Sequence, residues 1–344
     1  MRQQINALTS TRAIAAIMVV IHHFGYGVFP FTLSNNLFQS GNIPVSYFFV
    51  LSGFVLCISY SGVHVSYADY FQRRIGRIVP VYWLALLFMV PVAVFFLNYP
   101  LNGTALKEVL LSASFLQSWV PSYPLVLNSP AWSISVEMLF YAVFPFFLLL
   151  LNKNTKLFIG ITVVLFLLSQ YFHLKYYTSR WSLPDSIVDT VFFNPVMHIS
   201  QFLIGMIGGY LYTNNRSSMP KSNWIAAGLL LLIIALIIYR PDNVSYHVGL
   251  IAPVFMIFVL SVAVNNASIL NLQWFVFLGE ISYGIYILQF PVFKFLEAVN
   301  KQYMHIPKQY FFFLGLLALL LVSALSYMFI EKPLRKKINS LKFG

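Results

Sequence analysis

What most constrains this chain is a succession of apolar runs, each on the order of 17–25 residues, the length of helix that crosses a hydrocarbon core about 30 Å thick. They fall at 13–29, 43–59, 79–98, 132–151, 157–172, 192–213, 224–239, 246–264, 272–292 and 309–330. Hydrophobic residues make up 59% of the 344 and charged residues 9%, whereas a soluble globular protein has about 45–50% and about 25%. The pattern predicts an all-α, polytopic transmembrane protein of about ten spans. No polar connection exceeds about 35 residues, short of the roughly 50 that a separate domain needs, so residues 1–344 read as one membrane domain. Inside 99–131, "LKEVLLSASFLQSWV" is half apolar and reads as a re-entrant or interfacial helix. Arg2 and Arg12 ahead of an apolar run imitate a signal peptide, but no small-residue cleavage site follows, and a retained first span is expected. The lone Cys57 excludes an internal disulfide and a Cys-rich metal cluster.

Basic residues set the orientation, because short cytoplasmic loops carry an excess of Lys and Arg. With the N-terminus inside, 14 of the 21 Lys and Arg, from Arg2 and Arg12 through Lys342, fall on the cytoplasmic side and 7 on the other. Both termini are therefore expected in the cytoplasm. The net charge of +12 follows from topology, with membrane lipids as its partners, and needs no nucleic acid.

An ionisable side chain in hydrocarbon is costly and marks a function by default. The first run, "TRAIAAIMVVIHHF", carries His22 and His23 near its expected middle. Arg12 and His23 are 11 positions apart, so on an α-helix they share a face about 16 Å apart, while His22 points about 100° away. This suits a ligand with an anionic part at the cytoplasmic rim, near Arg12, and a reactive part at depth, near His23. The plainer alternative is a histidine bonded to a neighbouring helix. Arg73, Arg74 and Arg77 in "YFQRRIGRIVPVYW" are either a positive-inside anchor or a phosphate-binding cluster, for which the guanidinium fork is well shaped. Glu137 and Glu280 are the acids well inside spans. Counted from Ala131, Glu137 lies about 9 Å from the non-cytoplasmic face and His23 about 14 Å, close enough for the carboxylate to orient the imidazole or raise its basicity. His198 is as much a helix–helix bond as a ligand. "GMIGG" reads as close helix packing, and His64, His173, His247 and His305 read as solvated. No phosphate loop, dinucleotide fingerprint or metal-ligand spacing is present.

Taken in order, several of these stretches resemble the acyltransferase-3 family of integral membrane O-acyltransferases. "TRAIAAIMVVIHHF" is similar to its Arg, ten residues, His opening, and "SYFFVLSGFVL" to its "FFVLSGF" signature. "FQRRIGRIVPVYW" resembles its basic stretch before Pro and aromatics, and "AWSISVEMLFY" its "WSLSVE". "FLGEISYGIYILQFPV" resembles a late "GxISYxxYxxHxP" stretch, and "FIEKPLRKK" a C-terminal Glu-Lys-Pro. The resemblance implies an acyl-CoA donor, acetyl-CoA by default, on the cytoplasmic side, and a hydroxyl acceptor such as a surface polysaccharide, an O-antigen or a lipid-linked sugar. It puts catalytic weight on His23 with Glu137, and CoA contacts on Arg12, Arg73, Arg74 and Arg77. It puts substrate contacts on Trp132, Ser135, Tyr286 and Gln289. Two positions depart from the pattern: the late histidine is Gln289, and the glutamate that often follows Glu137 is Met138. The esterase-like C-terminal domain of some members is not expected, so a second step would fall to another protein.

The expected function is a metal-free O-acyltransferase of the bacterial inner membrane. His23 takes the proton of the acceptor hydroxyl, which attacks the thioester; an acyl-imidazole intermediate is the variant. The rival is a transporter or channel for an anionic solute, which would favour inverted repeats that the sequence does not display.

Overall fold

The computed structural model describes residues 5–38, 40–63, 66–265 and 268–341; Arg2, His64 and Lys342 lie outside them. Its longer helices are α1 (Asn6–Phe24), α2 (Asn42–Tyr60), α3 (Tyr67–Phe96), α4 (Gly103–Ala113), α5 (Trp132–Lys153), α6 (Thr155–Tyr177) and α7 (Asp185–Phe193). They continue with α8 (Pro195–Asn215), α9 (Asn223–Ile238), α10 (Ala252–Asn265), α11 (Gln273–Glu280), α12 (Ser282–Val299), α13 (Lys308–Ser326) and α14 (Lys332–Ser340). Among the described residues, seven helical stretches are long and apolar enough to cross a membrane, and α11 with α12, bent by 55° where they meet, make an eighth if the pair is one span. The protein is a polytopic helical membrane protein.

Eight is fewer than the ten runs suggest, because two runs make short helices. The run 224–239 becomes α9, with 16 residues, and 246–264 becomes α10, with 14. These are about 24 and 21 Å long, below a core of about 30 Å. Hydropathy sums side chains and is blind to where the backbone leaves the helix. Residues 246–251 are apolar enough to count, yet they form a buried turn in which Gly249 takes φ +82 and packs so closely on Gln201 that a Cβ would clash. The half-apolar stretch after 99 becomes α4, whose 11 residues are too few to span.

The first span is also displaced. The run predicts 13–29, but α1 occupies Asn6–Phe24. Its polar start is buried rather than solvated: Ser10 donates to the Leu270 carbonyl at 2.6 Å, and the Thr11 and Tyr47 hydroxyls meet at 2.5 Å. At the other end Gly25 terminates the helix and Gly27 takes φ +72, which a residue with a Cβ adopts only under strain. His22 and His23 therefore sit in the last turn of α1, and Arg12 lies about two turns inside its start.

Helix α3 likewise starts before its apolar run. The Ser66 hydroxyl accepts the Asp69 N–H at 3.1 Å as an N-cap, and the helix takes in all three arginines of the basic stretch. The centre of the bundle is the crossing of α2 and α8. A Cβ on Gly53 would run into the Phe202 carbonyl, and one on Gly205 into the Val50 carbonyl, so two helix backbones touch where both sequences offer glycine. Gly209, one turn on, sits against Cys57 and the Phe54 carbonyl, the close packing expected of "GMIGG".

Candidate active site

His23 donates from Nδ1 to the Gln289 amide oxygen on α12, at 3.0 Å. The amide orientation is itself held, because Gln289 Nε2 donates to the Tyr286 carbonyl at 2.6 Å, leaving the oxygen to face His23. A carbonyl oxygen can only accept, so Nδ1 carries the ring hydrogen and Nε2 keeps its lone pair. The ring edge is fixed by Phe290 at 5.1 Å between centroids and by His22 at 5.0 Å. Gln289 is fully buried. One turn back on α12, the Tyr286 hydroxyl lies 2.7 Å from the Ser133 hydroxyl at the start of α5, and both reach the Pro130 carbonyl at 3.0 Å. Asn128 adds a bond to the Ile287 carbonyl at 2.9 Å, so the segment before α5 is clamped onto α12.

Two further residues singled out in the sequence line this end of α5. Trp132 is buried between His198 at 5.0 Å, His247 at 5.3 Å and Phe193 at 5.4 Å. Ser135 is fully buried, and its hydroxyl has no hydrogen-bond partner among the described residues. An unpaired buried hydroxyl costs on the order of 1–3 kcal/mol, and such a group belongs where a ligand can complete it.

Glu137 lies within electrostatic reach of Tyr286, in the His23–Gln289 network, as well as of the arginines. It accepts the Tyr141 hydroxyl at 2.5 Å, and it shares electrostatic reach with Arg12, Arg77 and the buried Glu331. Arg74 stacks at 5.8 Å from both the Tyr60 and Tyr141 rings. Arg12, Arg74, Arg77, Glu137, Tyr141 and Glu331 thus form one cluster, contributed by α1, α3, α5 and the turn after α13. Arg73, half-buried on the same helix as Arg74, has no such contact among the described residues. The sequence analysis aimed Glu137 at His23; among the described residues no hydrogen bond joins them, and Glu137 stands one turn beyond Ser133 on α5. Glu331 is the residue the reading missed. It is the glutamate of "FIEKPLRKK", matched above to a Glu-Lys-Pro stretch but given no role there, and it also faces Arg335 at 3.8 Å.

Two of the other histidines, His198 and His247, are bonded to one backbone carbonyl, whereas both ring nitrogens of the buried His173 have no hydrogen-bond partner among the described residues. His198 Nε2 donates to the Phe192 carbonyl at 2.8 Å and its Nδ1 accepts from Gln201 at 3.0 Å, so both nitrogens are satisfied. His247 Nε2 donates to the same carbonyl at 2.6 Å. His173 and His247, expected in solvent, are 0% and 3% exposed, because α6 and the turn before α10 pack inward on α8. Glu280 accepts the Tyr327 hydroxyl at 3.0 Å, a bond between helix ends.

The acyltransferase domain of the acyltransferase-3 family matches residues 5–328, nearly the whole chain. This chain belongs to the acyltransferase-3 family. The match takes in His23, Gln289 and every residue of the charged cluster except Glu331, which lies three positions beyond it. Similar proteins include "O-acetyltransferase OatA" of Staphylococcus aureus (strain NCTC 8325 / PS 47), 25% identical over 370 residues that cover 96% of this chain and 57% of the relative. "Putative peptidoglycan O-acetyltransferase YrhL" of Bacillus subtilis (strain 168) is 25% identical over 371 residues, 96% of this chain and 55% of the relative. "Peptidoglycan O-acetyltransferase OatA" of Listeria monocytogenes is 25% identical over 382 residues, 99% of this chain and 58% of the relative. The chain thus spans a little over half the length of these relatives. No solved structure matches it.

Proposed function

We propose that this chain is a membrane O-acetyltransferase that moves an acetyl group from acetyl-CoA to a hydroxyl of a bacterial surface glycan, with peptidoglycan the leading acceptor. The observation that carries this reading is the His23–Gln289 bond. It leaves Nε2 as a free base on the same helix face as Arg12, 11 residues away and about 16 Å along the axis. That separation is of the order of an extended pantetheine arm. CoA phosphates lie against Arg12, Arg74 and Arg77, where planar guanidinium groups make charge-assisted bonds. Glu137 and Glu331 hold those arginines in place before the donor arrives.

The chemistry then balances without outside reagents. His23 Nε2 takes the proton of the acceptor hydroxyl as its oxygen attacks the thioester carbonyl, the carbon–sulfur bond breaks, and the imidazolium returns the proton to the CoA thiolate. Gln289 cannot titrate, so its part is to hold Nδ1–H through the cycle. Ser135 and Trp132 line the acceptor side. The arginine end faces the cytoplasm of a bacterial inner membrane, with both termini inside and the short helices α9 and α10 completing ten crossings in a locally thinned bilayer.

A transporter reading draws on the bent α11–α12 pair, since broken helices build transport sites. Purified protein in nanodiscs, given acetyl-CoA and muropeptide-free glycan strands, separates the two. Acceptor-dependent release of CoA thiol with alkali-labile acetate on the glycan is expected. Intact acetyl-CoA after prolonged incubation with every glycan tried overturns the transferase.

A further inference from the structure

Helix α14 follows the π-helical turn Tyr327–Glu331 and lies against the start of α3, the part that carries Arg73, Arg74 and Arg77. Of its nine residues only Arg335 and Ile338 are half-buried, and the other seven are exposed. An isolated helix in water needs roughly 12–15 residues, so α14 depends on its contacts to form. Apolar burial supplies little of that hold.

The hold comes from α3. Gln72, which is buried, donates from Nε2 to the Ile338 carbonyl and, at 2.6 Å, to the Leu341 carbonyl. The last carbonyls of an α-helix lack a donor one turn on, and here a side chain 266 residues away supplies it. One turn along α3, Gly76 is packed under Ile338, where a Cβ would stand 3.1 Å from Ile338 Cγ2. At its other end α14 is anchored by Arg335, 3.8 Å from the buried Glu331. Gln72 and Gly76 share one face of α3, while Arg74 and Tyr70 each point about 160° away from Gln72. On that far face the Tyr70 hydroxyl donates to the Tyr141 carbonyl of α5 at 3.1 Å. The arginine-bearing turns of α3 are thus gripped between α5 in front and α14 behind.

We propose that Gln72 is a positioning residue for the donor: by seating α14 behind α3 it fixes the rotation at which Arg74 and Arg77 are presented and keeps Glu331 against them. The proposal rests on the reading above that these arginines take CoA phosphates. Coulomb attraction survives a small rotation of α3, but directional guanidinium–phosphate bonds weaken with it. The effect therefore falls on donor affinity and is modest, and the proton transfer at His23, about 16 Å away, is spared.

The test pairs a readout of α14 with a readout of the donor, on the full chain in nanodiscs at pH 8. Gln72→Met keeps the side chain's length but cannot donate, whereas Gln72→His offers a neutral ring N–H. Backbone hydrogen exchange over 332–341 is expected to quicken about tenfold in Gln72→Met and to stay slow in Gln72→His. Acetyl-CoA affinity, by calorimetry, is expected to fall about fivefold in Gln72→Met, the size of one lost hydrogen bond, with kcat within twofold. Gln72→His should restore it. Gly76→Val, which wedges Ile338 outward with Gln72 intact, should weaken the donor by a similar factor. Unchanged exchange in Gln72→Met shows that Gln72 does not seat α14 and overturns the proposal. Quickened exchange with unchanged donor affinity, or an equal loss of kcat and affinity that Gln72→His does not restore, makes the contact merely structural and also overturns it. If the unaltered chain binds no acetyl-CoA, the donor reading itself fails and takes this proposal with it, whatever the exchange shows.

Discussion

At the Arg12 end of α1, five charged side chains from three helices and the turn after a fourth share one region, and a tyrosine hydroxyl is bonded among them. At the His23 end the contacts are a neutral amide, a carbonyl and aromatic edges. The first arrangement holds charge in place and tolerates small shifts, because Coulomb energy falls slowly with distance. The second selects one tautomer, and a hydrogen bond weakens steeply with distance and angle. One helix therefore carries an end suited to gripping a charged donor and an end suited to moving a proton.

Removing the base separates these roles most sharply. His23→Ala is expected to lower acceptor-dependent CoA release by a factor of about 10² to 10⁴, while acetyl-CoA binding, measured by calorimetry on the same sample, persists. A loss of binding equal to the loss of rate would merge the two ends into one site. Gln289→Leu comes next. Without an acceptor for Nδ1–H the ring is free to take either tautomer, and kcat should fall about 10- to 100-fold at unchanged donor KM, in line with one lost hydrogen bond to a group that becomes charged. Gln289→His, which restores the family's residue and an acceptor nitrogen, should keep most of the activity.

The arginine end predicts the opposite kinetic split. Arg77→Ala should raise the donor KM about tenfold, more at high salt, with a smaller change in kcat. Glu137→Gln is the sharper probe, because the carboxylate lies with the arginines. It is expected to shift donor KM by a few-fold and leave the pH profile of kcat where it was. A displaced profile would return Glu137 to the imidazole and break the comparison. The smallest effect is expected from His22→Ala, which should keep activity within about threefold, since its ring packs beside Gly41 and the edge of His23 rather than sharing the Arg12 face.

Sequence alone made most of this legible where the signal was local. Apolar runs mark the helices because hydrocarbon demands it, the glycines of "GMIGG" announce a close crossing, and the 11-residue step from Arg12 to His23 sets a face and a length for any α-helix. Helix limits were less legible. Ser10 and Thr11 fall outside the apolar run 13–29, yet the Leu270 carbonyl just before α11 and the Tyr47 hydroxyl on α2 hold them, and residues 246–251 read as helix until their turn is seen packed on α8.

What only the tertiary structure decided is who meets whom. No spacing in the chain relates residue 23 to residue 289, or residue 137 to residue 331, because contacts between helices depend on the order, direction and rotation with which the bundle packs. The sequence by itself determined that two adjacent histidines and a set of arginines lie on membrane helices, since composition and the 3.6-residue period act within one helix. The packing decided that His23 is held by a glutamine and that Glu137, bonded to Tyr141 on its own helix, lies in electrostatic reach of the arginines. The first arises from a directional contact between helices distant in the chain, which only the assembled bundle brings within hydrogen-bonding range, and the second from the packing of α1, α3 and α5 together.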